Sequence, residues 1–137
     1  MVTIGVAIFT YNDEKYIKET IASAKLLTKD IAVIDMESTD KTAAIAKKEG
    51  ATVYDLPHSV YVEPSREFGI QSAKGDWVLV LDADERVTAE LAKEIKQVLS
   101  TDNRLQPRTE SYYRIPRKNL FGRKVWLKHK KYTPGVN

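Results

Sequence analysis

The amino-acid sequence predicts an α/β fold built on a mostly parallel sheet with flanking helices. Short runs rich in Val and Ile alternate with longer segments whose apolar residues recur at helical spacing. Alternating strands and helices are typical of a parallel sheet with connecting helices. The 137 residues are enough for one domain with a substantial core, but too few for two domains of typical size.

Residues 2–9 are predicted to form the first strand, and the polar residues 10–13 that follow are suited to a turn and a helix N-cap. The next segment carries one apolar face, made by Ile17, Ile21 and Ala24. A helix with this face should end near Thr28. Residues 31–35 form a second short strand, and residues 38–40 offer N-cap hydroxyls to a helix that runs through Lys48 and stops at Gly50.

A third strand is predicted at residues 52–54, followed by a helix at about residues 65–73 that Gly75 closes. Residues 77–81 are a continuous apolar run, which predicts the central strand of the sheet, buried on both faces. Thr88 can cap a last helix with an apolar face, formed by Leu91, Ile95, Val98 and Leu99. Residues 112–116 and 124–127 favour later, less regular strands.

Composition excludes several classes of protein. Without cysteine the chain has no disulfide, thiolate metal site or cysteine nucleophile, and a reducing cytoplasmic setting is the expectation. Two histidines are too few to favour a zinc site. No apolar run approaches the roughly 20 residues that cross a bilayer, and the N-terminus lacks the charged start of a secretory signal.

The strongest chemical signal is the pair of carboxylates at Asp82 and Asp84, directly after the apolar run. Ligands of parallel sheets bind at the carboxyl ends of the strands, where residues 10–12, Asp35 and this pair should converge. Two carboxylates there suit Mg²⁺ or Mn²⁺, which keep coordination positions for phosphate oxygens. The alternative is that the two aspartates only end the strand. Their mutual repulsion in a buried setting favours the metal site.

Two further residues have both a functional and a structural interpretation. Arg66, early in the third predicted helix, can pair with phosphate or with one of the carboxylates, or it can be a lone surface arginine. Tyr11 can stack on a nucleobase or simply pack against the sheet.

Four blocks together resemble family 2 glycosyltransferases of the GT-A fold: residues 9–14 (FTYNDE), 33–42 (VIDMESTDKT), 73–77 (AKGDW) and 81–85 (LDADE). Their order and spacing also agree, and the match covers most of residues 3 to 125. The sequence is most similar to bacterial transferases of lipopolysaccharide core and cell-surface polysaccharide. Residues 1–110 would then be the nucleotide-sugar-binding part, and residues 111–137 the start of the acceptor side in the same domain.

The resemblance implies residue roles. Thr10, Tyr11 and Asp35 would contact the nucleoside, and Arg66 would lie near the base and phosphates. Asp82 would sit near the ribose and metal, and Asp84 would bind Mn²⁺ or Mg²⁺ more directly. The donor would be a UDP-, GDP- or dTDP-sugar, transferred with inversion. The sequence departs from the family at two positions. Met36 stands where many relatives have a second acid, which bears on recognition of uracil, and Glu67 stands where they often have asparagine.

The resemblance names no catalytic base, because the family supplies it from a segment well after residue 130. The remaining acids near or after the motifs are Asp76, Glu85 and Glu110, and none stands at that place. Two other functions stay open. One is a truncated or degenerate module that binds nucleotide without transferring sugar. The other, ranked last, is a nucleotidyltransferase, although residues 10–13 lack the glycine-rich phosphate loop of that class.

Residues 111–137 carry bases and no acid, interleaved with aromatic residues, whereas residues 1–110 carry more acids than bases. Three interpretations compete: attraction of an anionic acceptor or of membrane headgroups at the inner face of the membrane, a solvated face of an incomplete subdomain, or nucleic-acid binding. The resemblance favours the first two. A missing acceptor half would also expose apolar surface, which favours a homodimer.

Overall fold

The computed structural model describes residues 2–58, 63–101, 111–113, 115, 118–121, 124–127 and 134–136, the strands beyond residue 110 by their backbone alone. The chain divides into two compact units, residues 1–102 and 103–137. The change of character predicted at residue 110 lies outside the described residues. No helix among the described residues is long and apolar enough to cross a membrane.

The first unit is a parallel four-stranded sheet with helices between its strands. In chain order its elements are β1 (Ile4–Thr10), α1 (Ile17–Ala24), β2 (Ile31–Asp35), α2 (Thr42–Lys48), β3 (Thr52–Asp55), α3 (Glu63–Ser72), β4 (Trp77–Asp82) and α4 (Ala89–Thr101). The strand order is β3-β2-β1-β4, and every pair is parallel. The predicted α/β class and the parallel sheet are confirmed.

Side chains of β1 alternate between two apolar clusters, because successive residues of a strand point to opposite faces. Val6 and Ile8 pack with the apolar residues of α1 and with Ala46 of α2. Ala7 and Phe9 lie in the second cluster, on the face where α3 contacts β1 and β2. The sheet therefore has helices on both faces, and β1 and β2 form its most deeply buried part.

Within the described residues, the strand predicted to be central, residues 77–81, lies at the edge of the sheet instead. In the described sheet β4 pairs with β1 alone and is half-buried along most of its length. Its apolar run does serve both faces, since Leu79 packs on the first cluster and Val78 and Val80 on the second. A continuous apolar run indicates that both faces of a strand are covered by other parts of the protein. It does not indicate how many strands pair with it in the sheet.

Two of the three predicted N-caps were also wrong. α1 begins after Tyr16 and α2 after Lys41, and neither cap residue makes a side-chain cap hydrogen bond. Asn12 and Ser38 bind the facing loop instead, whereas Asp40 accepts hydrogen bonds both from that loop and from the amide of Thr42, the first residue of α2. The cap of α4 is confirmed, because the Thr88 hydroxyl accepts a hydrogen bond from the amide of Leu91 at 3.1 Å.

Helix α3 comes very close to the sheet at Gly69. A Cβ atom at this position would lie 2.4 Å from Cζ of Phe9 and 3.0 Å from Cγ1 of Ile34. Carbon atoms that are not bonded cannot approach so closely, so the glycine is what allows this packing. The close approach fixes the ring of Phe9, which is 6% exposed, beneath the helix.

The second unit contains two antiparallel strand pairs. β5 (Ser111–Tyr113) pairs with β8 (Pro134–Val136), and β6 (Lys118–Phe121) pairs with β7 (Lys124–Leu127). Strands are thus present at both predicted places, and residues 114 and 116 of the first one lie outside the described residues. The basic and aromatic side chains of residues 111–137 lie outside the described residues, and the hypotheses about them stay predictions.

Candidate functional site

The carboxyl ends of the four strands bring the predicted polar residues to one edge of the sheet. Thr10 is in register with Asp35, and Asp35 with Asp55. On the other side of β1, Phe9 is in register with Asp82. The residues expected to converge therefore end their strands at nearly the same level.

Asp82 begins a tight turn that its fourth residue closes. The amide of Asp82 donates to a carboxylate oxygen of Glu85 at 2.8 Å, and the amide of Glu85 donates to the carbonyl of Asp82 at 2.9 Å. Asp82 is half-buried at the strand end, whereas Asp84 is exposed on the turn. The turn thus presents two carboxylates at the sheet edge and uses a third one, from Glu85, to hold its own backbone.

Residues of strand β1 and helix α1 hold this turn in place by hydrogen bonds. The amide of Ala83 donates to the carbonyl of Phe9 at 3.1 Å, and the buried hydroxyl of Thr20 donates to the carbonyl of Ala83. A further link comes from Ser23, whose hydroxyl oxygen accepts a hydrogen bond from the amide of Val87 at 3.1 Å. The aspartate pair is therefore carried by a backbone with few degrees of freedom.

Thr10 and Asp35 are both buried, at 1% and 3% exposure. The Thr10 hydroxyl donates to the carboxylate of Asp13 at 2.8 Å, so it is engaged within its own loop. One carboxylate oxygen of Asp35 accepts hydrogen bonds from both the amide and the hydroxyl of Ser38. Among the predicted nucleotide contacts, these two residues shape the floor of the site rather than its exposed rim.

The loops after β1 and β2 are bound to each other by side-chain to backbone hydrogen bonds. Asn12, whose φ of 51° lies in the left-handed region, accepts a hydrogen bond from the amide of Thr39 at 2.7 Å. Asp40 accepts from the amide of Glu14 at 3.2 Å and from the amide of Thr42 at 2.9 Å. The predicted capping residues therefore bind the two loops together.

The charge of Asp40 is favoured by these bonds. Burial acts to raise the pKa of its carboxyl, but hydrogen bonds from Thr42, from the amide of Glu14 and from its own amide outweigh burial. The pKa of Asp40 consequently lies below its ordinary value of 3.8. The link between the two loops is thus strongest when Asp40 is ionised.

Tyr11 lies at the rim of the site and packs against a residue from the far side of the sheet. Tyr11 is 44% exposed, and the centroid of its ring is 4.4 Å from that of His58, with an angle of 41° between the ring planes. The amide of His58 donates to the carboxylate of Glu37 at 3.1 Å. Both interpretations of Tyr11 stay open, since the ring packs on one neighbour and remains exposed elsewhere.

Arg66 points to the ring of Phe9 rather than to a carboxylate. Its guanidinium carbon lies 5.9 Å from the ring centroid, a cation–π distance. The ion pairs between described residues are Lys18 with Glu49 and Arg86 with Glu19. The predicted pairing of Arg66 with Asp82 or Asp84 is thus not among them, and a contact with phosphate stays a prediction.

The donor atoms at the edge fit a hard divalent cation that takes part of its shell from a ligand. Asp82 and Asp84 offer carboxylate oxygens, which Mg²⁺ and Mn²⁺ prefer. Within the described part of the chain, no group of three or more His, Asp or Glu side chains could hold a metal by itself. The two aspartates would therefore need phosphate oxygens or water to complete the shell.

The sequence analysis did not identify four residues as organising this edge: Thr20, Glu37, His58 and Glu85. Only Glu85 had a local signal, because an acid three residues after Asp82 can close a turn. The others act on partners at least 21 residues away in the sequence, so no local pattern marks them.

The model of a known protein family, described as glycosyl transferase family 2, matches residues 5–133. The chain belongs to glycosyltransferase family 2. Uncharacterised glycosyltransferases of Rickettsia conorii and Rickettsia typhi are 39% and 40% identical to it over 100 and 103 residues. Each match covers about three quarters of this chain (73% and 75%) and 35% of the relative. This glycosyltransferase domain thus spans about a third of the length of those relatives.

Solved structures show the same fold. Residues 1–349 of TarS from Staphylococcus aureus match with a TM-score of 0.64 and 29% identity, over 72% of this domain and 32% of that chain. Glucosyl-3-phosphoglycerate synthase from Mycobacterium tuberculosis, in complex with Mn²⁺, UDP and glucosyl-3-phosphoglycerate, matches with a TM-score of 0.53 and 26% identity. That match covers 60% of this domain and 33% of the synthase chain. The predicted GT-A fold is confirmed.

Proposed function

We propose that this domain binds a nucleoside-diphosphate sugar together with Mn²⁺ or Mg²⁺, as the donor-binding part of an enzyme that transfers the sugar to an acceptor. The observation that carries the proposal is the alignment of Thr10, Asp35 and Asp82 at one sheet edge, with Asp84 exposed beside them. Ligands of open α/β sheets bind at this edge. The synthase crystallised with Mn²⁺ and UDP supports the choice of ligand.

In this proposal the two ends of the donor lie at different strands. Asp82 ends β4 and Asp84 comes just after it, so the metal and the diphosphate would lie there. Tyr11 follows β1 and Asp35 ends β2, so the nucleoside would lie on that side. Arg66, on α3 above Phe9, lies half-buried on the second face of the sheet and would contribute a fixed positive charge near the phosphates.

The metal would stabilise the negative charge that develops on the leaving diphosphate. The protein supplies two hard oxygen donors on a turn held by Glu85, Phe9 and Thr20. Because these bonds lie within the protein and fix the backbone of the turn, little reorganisation would be needed when the donor binds. Such preorganisation is the usual basis of electrostatic stabilisation of a transition state.

The reaction would be a direct displacement with inversion. An acceptor hydroxyl oxygen forms the new bond to the anomeric carbon, the bond from that carbon to the diphosphate oxygen breaks, and the hydroxyl proton passes to a base. We assign no residue of this chain as that base.

The acceptor would be a glycan or a lipid-linked molecule of the cell envelope, reached from the cytoplasm at the inner face of the membrane. The basic side chains within residues 111–137 would contact the anionic acceptor or the membrane headgroups. A homodimer would cover the apolar surface of the same segment.

Calorimetric titration with UDP, GDP and dTDP, each with and without Mn²⁺, tests the donor site. We expect one or more of these nucleotides to bind only in the presence of metal. An accompanying hydrolysis assay with the matching nucleotide sugars separates binding alone from turnover by this chain. Absence of metal-dependent binding for all three nucleotides would refute the proposed function.

A further inference from the structure

The contact between Tyr11 and His58 joins two strands that are not neighbours in the sheet. Tyr11 follows β1, and His58 follows β3, with β2 between those strands. Both residues are exposed. Their rings meet at a centroid distance of 4.4 Å and diverge by 41°, so the pair presents ring surface to solvent. We call this pair the Tyr11–His58 platform.

The platform is held from its far side by Glu37. This residue adopts a left-handed φ of 62°, which is uncommon for a residue other than glycine, asparagine or aspartate. Its carboxylate accepts a hydrogen bond from the amide of His58 at 3.1 Å. The segment before His58 is also fixed, since the amide of Leu56 donates to the carbonyl of Asp35 at 2.9 Å. His58 is therefore placed beside Tyr11 by the backbone that leads to it.

The platform runs from β1 to β3 along the sheet edge, and the aspartate pair lies at the end of β4, on the other side of β1. Tyr11 is therefore one strand spacing of about 4.8 Å from β4, and His58 is three. A ligand that reaches from the aspartate pair across both rings must be extended, with an anionic group near Asp84 and its metal and a flat group at the platform. A nucleoside diphosphate has this form. Met36, which follows β2, offers a base edge no strong hydrogen-bonding group from its side chain, so stacking on exposed rings is a contact that this edge can supply.

We propose that His58, together with Tyr11, forms the surface on which the nucleobase of the donor stacks, and that Glu37 is the positioning residue for His58. This inference rests on the proposed function, because it assumes that the ligand is a nucleotide. It assigns base binding to a pair of rings rather than to Tyr11 alone. The affinity gained from the base should accordingly depend on His58, while the affinity for the diphosphate should not.

The test compares nucleoside diphosphates with ribose 5-diphosphate, which lacks the base, all titrated with Mn²⁺. The dissociation constant of ribose 5-diphosphate divided by that of the nucleoside diphosphate measures the contribution of the base. We expect His58→Ala to lower this ratio by about two- to tenfold, the value of one aromatic contact. The affinity for ribose 5-diphosphate should not change. His58→Phe should retain most of the ratio, since it keeps a ring.

Glu37 is tested by the same ratio. Glu37→Ala should lower it, and Glu37→Gln should restore it, because an amide oxygen can still accept from the amide of His58. Tyr16→Ala is the matched control for loss of an exposed aromatic ring, and it should leave the ratio unchanged. Thermal unfolding of each variant shows that the domain remains folded.

The outcomes separate this inference from the proposed function. If the unmodified protein binds none of the nucleotides, the proposed function fails, and the base site fails with it. If it binds them and His58→Ala leaves the ratio unchanged, raises it, or weakens both ligands equally, the proposed function stands and the inference is overturned.

Discussion

The hydroxyl of Thr20 on α1 donates a buried hydrogen bond to the carbonyl of Ala83, the residue between Asp82 and Asp84. A helix from the first third of the chain thereby holds the turn that carries the aspartate pair. The amide of Ala83 donates a hydrogen bond to the carbonyl of Phe9 on β1. Both backbone groups of Ala83 are satisfied by partners more than 60 residues earlier, and the turn is rigid for that reason.

Replacing Thr20 with Val should destabilise the domain and loosen the aspartate turn. The change keeps the shape of the side chain but leaves the carbonyl of Ala83 buried without a donor, which costs about 1–3 kcal/mol. Urea unfolding measures the loss, and metal-dependent UDP binding should weaken in parallel. Thr52→Val is the control, because Thr52 is exposed on β3. Equal stability of the Thr20→Val variant and the unmodified protein would contradict the assigned role.

Asp84→Ala should remove the metal-dependent part of nucleotide affinity and leave the fold intact, since this side chain is exposed. Loss of an outer-shell partner of a metal costs roughly 10–100-fold in affinity, and loss of a direct ligand should cost at least as much. Asp30→Ala removes an exposed carboxylate at the opposite end of the sheet and is the matched control. Unchanged affinity for UDP with Mn²⁺ in the Asp84→Ala variant would rule out this metal site.

Asp40 should make stability depend on pH in the acid range. Its folded-state pKa lies below the ordinary value of 3.8, so its contribution is fully present above that value and is lost as the pH falls through the folded pKa. Asp40→Asn should be less stable near neutral pH, and the difference from the unmodified protein should shrink as the pH drops below 3.8. Urea unfolding over this range measures it. A difference that stays constant with pH would show that ionisation of Asp40 does not support the loops.

Gly69→Ala should destabilise the domain by about 1–3 kcal/mol, even though alanine favours helices, because the added methyl group overlaps the ring of Phe9. The double variant with Phe9→Leu removes the ring atoms that the methyl group would meet. In that background the Gly69→Ala change should cost little or be stabilising. Urea unfolding of the four proteins gives the coupling energy. Simple additivity would contradict a direct clash between the two positions.

Local sequence patterns were reliable where the structure is decided locally. The alternation of apolar runs and helical spacing predicted the strands and helices of residues 2–101, and Thr88 was identified as the cap of α4. The residues expected as caps at 10–13 and 38–40 bind mainly within and between their two loops, and only Asp40 also bonds the first amide of a helix, that of Thr42. A side chain that can cap a helix can equally bind another backbone nearby, and the sequence does not show which backbone comes close.

The sequence by itself determined the α/β class, the polar ends of the strands and the position of Asp84 just after an apolar strand, because period and composition record which segments are buried. Only the tertiary structure decided that β4 lies beside β1 at the edge of the described sheet, that Thr20 holds Ala83, and that His58 meets Tyr11. These relationships join residues 47 or more positions apart. Such contacts are set by strand order and helix packing, which a local pattern does not encode.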